Sequence, residues 1–464
     1  MFKSFFLALG FVLATFNCEA RSKYVFLLIG DGMGIAQRTL AEFLANSRVS
    51  EQSGIIKLNM NKLPVQGYLH TYSTDSYITD SAASATTYAI GKKTYSGSIG
   101  LDKDGGKTDL TLMDYARKRK MKTGIITNVP LNHATPAAFY GRVVNRRLYN
   151  KIADDLVVAP FDFVGGACIK VSKMPGLKRT PDYYYSKAKE NGYTFHSSDI
   201  TAFKPKANER DWVMPDDCGK GADIPYAIDR KGDDHTTLKD YVSMAIKSLK
   251  NPNGFFLMAE GGKIDWACHS NDAATAALEV LDFDEAVKVA VDFYEKHPDE
   301  TTVVVVADHE TGGLSLGLSK TSYTLSPSQL LNQKISMFEF NNVVQKWRET
   351  KPSFEKLLSE LGKYFSLGEL DENTKNRIKK AYDFTFDPKL KDKFPKKFAY
   401  GPSEPISILM VDLIAERTGI GWSTVGHTGV PIPVSATGVG QNYFSGMVEN
   451  TVVFEGLKKI IMTD

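Results

Sequence analysis

The sequence predicts an α/β protein with a doubly wound, mostly parallel central sheet flanked by helices. Four apolar runs without polar alternation have the form of strands that are buried on both faces, and they cover residues 24–29, 122–127, 255–259 and 302–307. Helical patterns lie between these runs, most clearly at residues 110–120 and 272–296. Alternation of strands and helices at this spacing is typical of a parallel sheet.

Two regions interrupt this alternation, and we interpret both as insertions. Residues 161–235 look irregular, with a Gly-Gly pair and several prolines, and residues 315–425 are rich in Lys and Glu and partly helical. We expect a single domain over residues 21–464. The second insertion is expected to be a crown- or lid-like segment that covers the site or contributes to a homodimer contact.

Composition excludes several classes of protein. A chain of 464 residues with 42% hydrophobic residues is not disordered throughout, and four cysteines cannot form a disulfide scaffold. The 57 Lys and Arg against 54 Asp and Glu give a formal charge of +3, which is too weak for a nucleic-acid-binding surface. We therefore expect no nucleic-acid recognition.

The N-terminal residues 1–20 have the layout of a secretory signal. Lys3 precedes an apolar run at residues 5–16, and Ala20 is a plausible residue before a cleavage point. The run is shorter than the ~20 residues of a bilayer span, so we expect an exported protein, periplasmic or secreted, with no stable membrane span in the mature chain. The alternatives are a buried N-terminal helix, an uncleaved anchor and lipid anchoring at Cys18.

Export permits disulfides, and three cysteines would remain after cleavage. Cys168 and Cys218 lie in the same irregular region and could pair. Cys268 would then be a buried free cysteine.

Residues of the types that bind ligands follow each of the four predicted strands. Asp31 follows the first strand, the second leads toward His133 and Thr135, Glu260 follows the third, and the pair Asp308-His309 follows the fourth. Because ligands bind beyond the carboxyl ends of the strands in such sheets, we expect these side chains to share one site. One such residue alone would more often be an ordinary turn residue or helix cap.

Further along the chain, more metal-ligand types are grouped. Asp265 and His269 are four residues apart, which places a carboxylate and an imidazole on one face of a helix, and His427 is flanked by glycines. Histidines mixed with carboxylates suit a catalytic zinc site or harder cations, and the excess of carboxylates suggests more than one cation. The remaining histidines do not belong to a comparable group of ligand-type residues, and we interpret them as ordinary: His70, His196, His235 and His297.

Residues 79–91 predict a helix with Ser81 in its first turn and Gly91 just past its end. Free N–H groups at a helix start attract anions, and a neighbouring metal would favour the alkoxide of Ser81 as a nucleophile. The simpler alternative is that Asp80 and Ser81 only cap the helix. Arg146 is a candidate phosphate clamp, although spacing alone does not separate it from Arg142 or Arg147.

Taken together, these motifs resemble the alkaline phosphatase family. The matching segments occur in the order of the family and span most of the chain: Asp31-Gly-Met-Gly34, Thr79-Asp80-Ser81-Ala82-Ala83-Ser84-Ala85-Thr86, His133-Ala-Thr135-Pro-Ala137, Glu260 to His269, Asp308-His309-Glu-Thr-Gly-Gly313 and Gly426-His427-Thr-Gly429. Each segment is moderately specific, and the ordered set is very specific.

The resemblance implies hydrolysis of small-molecule phosphate monoesters through a phosphoserine intermediate at two Zn²⁺ ions and one Mg²⁺ ion. Ser81 matches the nucleophile and Arg146 the phosphate-binding arginine, which Asp80 would orient. The implied ligands are Asp265, His269 and His427 for the first zinc, Asp31, Asp308 and His309 for the second zinc, and Asp31, Thr135 and Glu260 for magnesium. Two close cations can stabilise the attacking and leaving oxygens of an in-line displacement.

Two positions at which members of the family differ bear on the chemistry. His133 stands where some members carry an Asp magnesium ligand, so we expect it to contact the water shell of the third metal. Trp266 stands where others carry Lys or His near the phosphate, and an indole cannot bridge to phosphate as a cation would. Phosphate release and pH optimum are therefore expected to differ.

Three alternatives stay open on sequence alone. A sulfatase requires a C/S-x-P-x-R context, and the residues after Ser81 lack that Pro and Arg. A phosphodiesterase on the related scaffold would more often use Thr as its nucleophile. An exported phosphate- or metal-binding protein without catalytic activity is the third alternative.

Overall fold

The structure is a computed structural model. It describes residues 21–463 with the exception of 50–54, 107–108, 174–178, 198, 200–201, 207, 217–220, 233–235, 388 and 391–402. The predicted signal at residues 1–20, with Cys18, and the predicted disulfide partner Cys218 lie outside these residues. Cys168 is disulfide-bonded, and Cys268 is a buried free cysteine, as predicted.

A ten-stranded sheet runs through the centre of the protein. In spatial order its strands are β14 (Gly446–Glu449), β2 (Val65–His70), β13 (Ile432–Gly438), β8 (Thr301–Ala307), β1 (Tyr24–Gly30), β7 (Phe255–Gly261), β3 (Lys122–Thr127), β4 (Phe163–Gly166), β6 (Arg210–Met214) and β5 (Tyr193–Ser197). The seven strands from β8 to β5 are all parallel, whereas β13 is antiparallel to both of its neighbours. The predicted α/β fold with a mostly parallel central sheet is confirmed.

Helices connect and cover these strands. Those before residue 300 are α1 (Ile35–Ser47), α2 (Ser81–Ile90), α3 (Leu112–Lys118), α4 (Ala134–Ala137), α5 (Tyr149–Val158), α6 (Pro181–Glu190), α7 (Leu238–Leu249), α8 (Lys263–His269) and α9 (Ala273–Lys296). Those after it are α10 (Met337–Thr350), α11 (Phe354–Tyr364), α12 (Glu372–Phe386), α13 (Pro405–Thr418) and α14 (Thr451–Met462). Within the described ranges, none of these helices has the length and apolar character needed to cross a membrane.

Two small antiparallel pairs lie beyond the main sheet. One joins β9 (Glu310–Thr311) to β12 (His427–Thr428), and the other joins β10 (Leu314–Ser315) to β11 (Gly421–Trp422). Their pairing brings the segment around residue 427 back to the segment that directly follows β8.

The three central strands end at the same level. Gly30, the last residue of β1, pairs with Gly261 of β7 and with Ala307 of β8. Every residue of these strands is buried, as their continuous apolar sequences require. The residues that end or follow the strands therefore share one edge of the sheet.

Residues 161–235 look irregular in the sequence, but the structure places β4, α6, β5 and β6 there. All three strands belong to the parallel sheet at its edge beyond β3. They have four or five residues each, and such short strands between prolines and glycines give little apolar periodicity to detect.

The described residues between 315 and 425 form a mainly helical layer around a second hydrophobic cluster. Phe340, Leu357, Ile378, Ile406 and Met410 are buried in this cluster. The cluster also includes Ala273, Ala274 and Ala277 at the start of α9, so the layer packs on the central domain.

Candidate active site

Asp31, Glu260 and Asp308 lie at the common edge of the three central strands, and each of them is completely buried. Asp31 follows β1, Glu260 lies at the end of β7, and Asp308 follows β8. The backbone N–H groups of Gly32 and His309 donate to Asp308 Oδ1 at 3.1 and 3.0 Å. A Cβ on Gly32, whose φ is +70°, would stand 2.9 Å from Asp265 Cα, so the close approach of these two segments requires glycine.

Asp265, His269 and His427 form the first group of possible metal ligands, with ligand atoms within 4.8 Å of one another. The helix α8 places His269 Nε2 3.3 Å from Asp265 Oδ2, and His427 Nε2 lies 3.2 Å from His269 Nε2. The other nitrogen of each imidazole faces a backbone carbonyl oxygen, that of Val425 at 2.5 Å for His269 and that of Thr79 at 2.8 Å for His427. These contacts point both Nε2 atoms toward Asp265, which is how metal-binding histidines are commonly oriented.

A second group consists of Asp31, Asp265 and His309 and meets the same distance criterion. His309 Nε2 is 3.3 Å from Asp31 Oδ1 and 3.4 Å from Asp308 Oδ2. The rings of His309 and His427 stack with centroids 3.5 Å apart, so the two groups adjoin. Asp265 belongs to both groups and connects them.

A third group contains Asp31, His133 and Glu260. The Thr135 hydroxyl lies 3.4 Å from Asp31 Oδ2, in α4 immediately after His133. The structure thus brings His133 itself among the possible ligand atoms. The rings of His133 and Trp266 meet edge to face at 5.9 Å.

Ser81 lies at the start of α2, at the common edge of the central strands. Its hydroxyl oxygen is 3.1 Å from His309 Nε2, and the residue is buried. Asp80 caps the helix by accepting from Ala83 N at 3.0 Å, and its other carboxylate oxygen accepts from Arg146 at 3.0 Å. Asp80 therefore does both things that the sequence left open: it caps the helix and holds Arg146.

The structure also separates the three candidate arginines. Arg146 reaches Asp80 with one guanidinium nitrogen and lies 3.1 Å from His133 Nε2 with the other. Arg142 instead donates to the carbonyl oxygens of Gly141 and Asp109, and Arg147 is exposed. Of the three, Arg146 is the one that reaches the group around Ser81.

Burial and mutual repulsion set the protonation of the carboxylates. Burial, reinforced by Asp308 and Asp265, raises the pKa of Asp31 well above its usual range. Burial likewise raises the pKa of Glu260 to about 8 and the pKa of Asp308 to about 7. Bringing positive charge among these groups would favour their ionised forms.

Imidazoles have the opposite effect on Asp265. Burial opposes ionisation there as well, but His269, His427 and His309 outweigh it and hold the pKa of Asp265 well below its usual range. Burial and His427 lower the pKa of His309, which favours its neutral form with a free lone pair. Neutral imidazoles and carboxylates are the forms in which these side chains bind metal ions.

At this edge of the sheet, three buried carboxylate oxygens have no hydrogen-bond partner among the residues that the structure describes. They are Asp31 Oδ1, Glu260 Oε1 and Asp308 Oδ2, all of them at the sheet edge. Because a buried polar atom without a partner is costly, this donor set fits bound cations.

Sequence reasoning missed two hydroxyl groups of this site. Thr311 donates to Asp265 Oδ1 at 2.5 Å and lies 3.2 Å from His309 Nδ1, so it contacts both ligand groups. Thr127, at the end of β3, donates to Glu260. The signal for Thr127 was available, since it too stands at the carboxyl end of a central strand.

Comparison with known proteins identifies the family. The alkaline phosphatase family model matches residues 22–162 and 187–463. This chain is a member of the alkaline phosphatase family. Alkaline phosphatase 3 of Bacillus subtilis is 30% identical over 451 residues, which cover 95% of this chain and 89% of that protein.

Solved structures agree with this assignment. The cold-active alkaline phosphatase of a psychrophilic Shewanella sp. aligns with a TM-score of 0.78 and 26% identity over 94% of this chain and 99% of that one. A variant of TAB5 alkaline phosphatase with Mg bound in its M3 site aligns with a TM-score of 0.62 and 25% identity over 95% and 98%. As a member of the alkaline phosphatase family, the protein is a phosphoric monoester hydrolase, and the family implies metal cofactors.

Proposed function

We propose that the protein hydrolyses phosphate monoesters through a phosphoserine on Ser81, at a centre that binds two Zn²⁺ ions and one Mg²⁺ ion. The observation that carries the proposal is the position of the Ser81 hydroxyl, 3.1 Å from His309, beside three adjoining groups of ligand-type side chains. A serine held at the start of a helix among such groups is suited to attack a phosphorus atom and accept the phosphoryl group.

In this proposal, Asp265, His269 and His427 hold one zinc ion, and Asp31, Asp308 and His309 hold the other. Asp31, Thr135 and Glu260 hold magnesium, and His133 acts through the water shell of that ion. The bound cations supply positive charge that favours the Ser81 alkoxide and stabilises the departing oxygen. Mg bound in the M3 site of a TAB5 variant that carries Asp in place of a His supports a third metal position.

The remaining roles fall to groups of the chain itself. Arg146 can donate two parallel hydrogen bonds to phosphate oxygens, and Asp80 holds its guanidinium in place. The first N–H groups of α2 add donors on the same side as Ser81. Together these donors stabilise the negative charge that collects on the equatorial phosphate oxygens during transfer.

The test compares Ser81→Ala with the wild type in two assays. Hydrolysis of p-nitrophenyl phosphate should fall by about 10³-fold or more, because no other nucleophile replaces the hydroxyl. Acid quenching with labelled phosphate should place label on the peptide that contains Ser81 in the wild type and none in the variant. Metal content, measured on both proteins, should be unchanged.

Ser243→Ala is the matched control, because this serine of α7 donates to the Lys239 carbonyl oxygen within its own helix. It should keep wild-type turnover and labelling. Faster hydrolysis of bis-p-nitrophenyl phosphate than of the monoester would instead indicate a phosphodiesterase. Full activity of Ser81→Ala would show that Ser81 is not the nucleophile, and the proposal would be wrong.

We also propose export, with residues 1–20 as a cleaved signal and residues 21–464 as one catalytic domain carrying the two insertions. N-terminal sequencing of the protein recovered from the periplasm or the medium should start near Arg21. Light scattering after size exclusion tests the proposed homodimer, for which a monomer mass would be the contrary result.

A further inference from the structure

A fourth group of ligand-type side chains lies at the edge of the sheet and belongs to none of the roles above. It consists of His196 on β5, Glu209 directly before β6 and Asp211 at the start of β6, and the ligand atoms of all three lie within 4.8 Å of one another. In the register of these parallel strands Asp211 lies opposite Thr194, so His196 and Asp211 are on the same face. Glu209 precedes Asp211 by two positions, which is the spacing of one face of a strand.

The contacts within this group are close. His196 Nε2 is 2.8 Å from Asp211 Oδ1, and Ser248 of α7 donates to the other oxygen of Asp211. Glu209 Oε1 receives one hydrogen bond, at 3.3 Å, from the exposed Lys206. Glu209 Oε2 is buried and has no hydrogen-bond partner among the described residues.

Within the described part of the chain, the one lysine or arginine that pairs with this group is the exposed Lys206, at Glu209. Asp211 is completely buried, and within the described part of the chain no lysine or arginine forms an ion pair with it. Its hydrogen-bond partners are an imidazole and a hydroxyl group, and the desolvation of a buried carboxylate is costly unless a cation compensates it. Glu209 Oε2 remains buried without a hydrogen-bond partner among the described residues, so an additional positive group fits beside it.

We propose that His196, Glu209 and Asp211 bind a divalent transition-metal ion of the Zn²⁺ type. One imidazole and two carboxylates are a suitable donor set for such an ion, with water completing the coordination. In a tetrahedral zinc site, ligand atoms about 2.1 Å from the ion stand roughly 3.4 Å apart, so small side-chain adjustments suffice. In the sequence His196 has the pattern of an ordinary histidine, because the other two residues of the group are 13 and 15 positions away.

This site is separate from the catalytic centre and does not depend on the proposed function. Three strand spacings separate β7 from β6, which at about 4.8 Å each is roughly 14 Å. The ion would join β5, the last strand of the sheet, to β6 and would thereby stabilise the edge of the fold. We expect it to affect stability and to leave turnover unchanged.

The experiment measures zinc content in the purified, metal-loaded enzyme. Wild type, His196→Gln and Glu209→Gln are dialysed against low-micromolar Zn²⁺ and analysed by elemental mass spectrometry. Each variant should hold one zinc equivalent fewer than the wild type, with hydrolysis of p-nitrophenyl phosphate unchanged within about 2-fold. Zn²⁺ added to the metal-loaded enzyme should also raise the melting temperature of the wild type more than that of the variants, since a ligand that binds the native state at one more site stabilises it further.

His297→Gln is the matched control, because this histidine lies at the end of α9 beside Lys250 and outside the group. It should retain the full zinc content. Equal zinc content in wild type, His196→Gln and Glu209→Gln would overturn the proposal. An equal loss of zinc in His297→Gln would also overturn it, because the lost ion would then be one that surface histidines bind in general. Glu209→Gln keeps the size of the side chain, so the result does not depend on a variant that fails to fold.

Discussion

The carboxyl edge of the central strands and the helical layer at residues 315–425 differ in how their polar groups are paired. At the strand edge, Asp31, Glu260 and Asp308 are buried side by side, with oxygens that have no partner among the described residues. In the helical layer, Ser336, Ser353 and Asp371 cap α10, α11 and α12 with ordinary hydrogen bonds. The first region carries unfavourable electrostatics for the sake of binding, whereas the second is built for stability.

From this difference between the two regions, we expect substitutions at the strand edge to reduce activity and substitutions in the helical layer to reduce stability. The largest effect is expected for Asp265→Asn. Asp265 belongs to two ligand groups, so the change should lower the metal content and reduce turnover by about 10³-fold or more, since bound cations supply several kcal/mol to the transition state. Metal analysis and hydrolysis of p-nitrophenyl phosphate measure both effects.

Asp292→Asn is the control for that substitution, because Asp292 is paired with Lys288 on the outer side of α9. Both its metal content and its turnover should equal those of the wild type. Wild-type activity of Asp265→Asn would show that Asp265 is not a shared metal ligand, which contradicts the proposed arrangement.

Phe340→Ala should produce the opposite pattern. The Phe340 ring is completely buried and contacts the rings of Phe365, Tyr364 and Trp347 at centroid distances of 5.0, 5.4 and 5.7 Å. Its removal should lower the free energy of unfolding by about 3–5 kcal/mol, with turnover per folded molecule changed by less than about 2-fold. Urea unfolding and active-site titration measure the two quantities.

Phe338 stands two positions away in the same helix and is 47% exposed. Phe338→Ala should therefore cost less than about 1 kcal/mol. If Phe340→Ala abolished turnover while the protein stayed folded, the helical layer would have a direct part in the chemistry, and the division between the two regions would not hold.

Arg146→Ala should have a smaller effect on the reaction than loss of a metal ligand. The guanidinium is expected to make charged hydrogen bonds to phosphate worth about 1.5–3 kcal/mol, so kcat/KM should fall by about 10–150-fold and inhibition by inorganic phosphate should weaken equally. Steady-state kinetics with p-nitrophenyl phosphate and phosphate as a competitor provide the measurement. Arg147→Ala, at the exposed neighbouring position, should behave as the wild type, and an equal loss in both would speak against a clamp at Arg146.

The smallest effect is expected at Asp229, which lies outside the helical layer and contacts the start of its first helix, α10. Asp229 accepts from the backbone N–H and the hydroxyl of Ser336 at the start of α10, at 2.8 and 2.6 Å, and burial raises the pKa of Asp229 to about 6. A raised pKa means that the native state holds the proton more tightly than the unfolded chain. The contribution of Asp229 to stability is therefore greatest below pH 4, falls as the pH rises from about 4 to 6, and is constant above that.

Asp229→Asn lacks this titration. The difference in unfolding free energy between wild type and variant should shift against the wild type by on the order of 2 kcal/mol between pH 4 and pH 7. Urea unfolding at four pH values measures it. If the difference in unfolding free energy between wild type and variant did not vary with pH, the Asp229 carboxyl group would titrate alike in the native and unfolded states.

The sequence predicted the centre of the fold well because the signal there is strong. Continuous apolar strands such as 302–307 admit few interpretations, and the polar residues after them have to meet at one edge. The helix that begins at Ser81 and stops before Gly91 was also predictable, since its cap residues carry the information locally.

What the sequence could not provide depends on contacts between distant segments. Spacing alone did not separate Arg146 from Arg142, and the family resemblance had to select it, because the choice depends on Asp80, 66 residues away. Thr311 serves two ligand groups because β9 and α8 are neighbours in space. The strands at the far edge of the sheet were missed because they are short and their pairing, rather than their composition, stabilises them.

The position of β13 has a consequence for the order of folding. This strand, formed by residues near the end of the sequence, lies between β2 and β8, whose residues are synthesised much earlier. Until β13 emerges, β2 and β8 each expose an unpaired edge, and His427 has not yet been made. A chain that ends before residue 427 should therefore bind chaperones that recognise open strands, and it should lack activity.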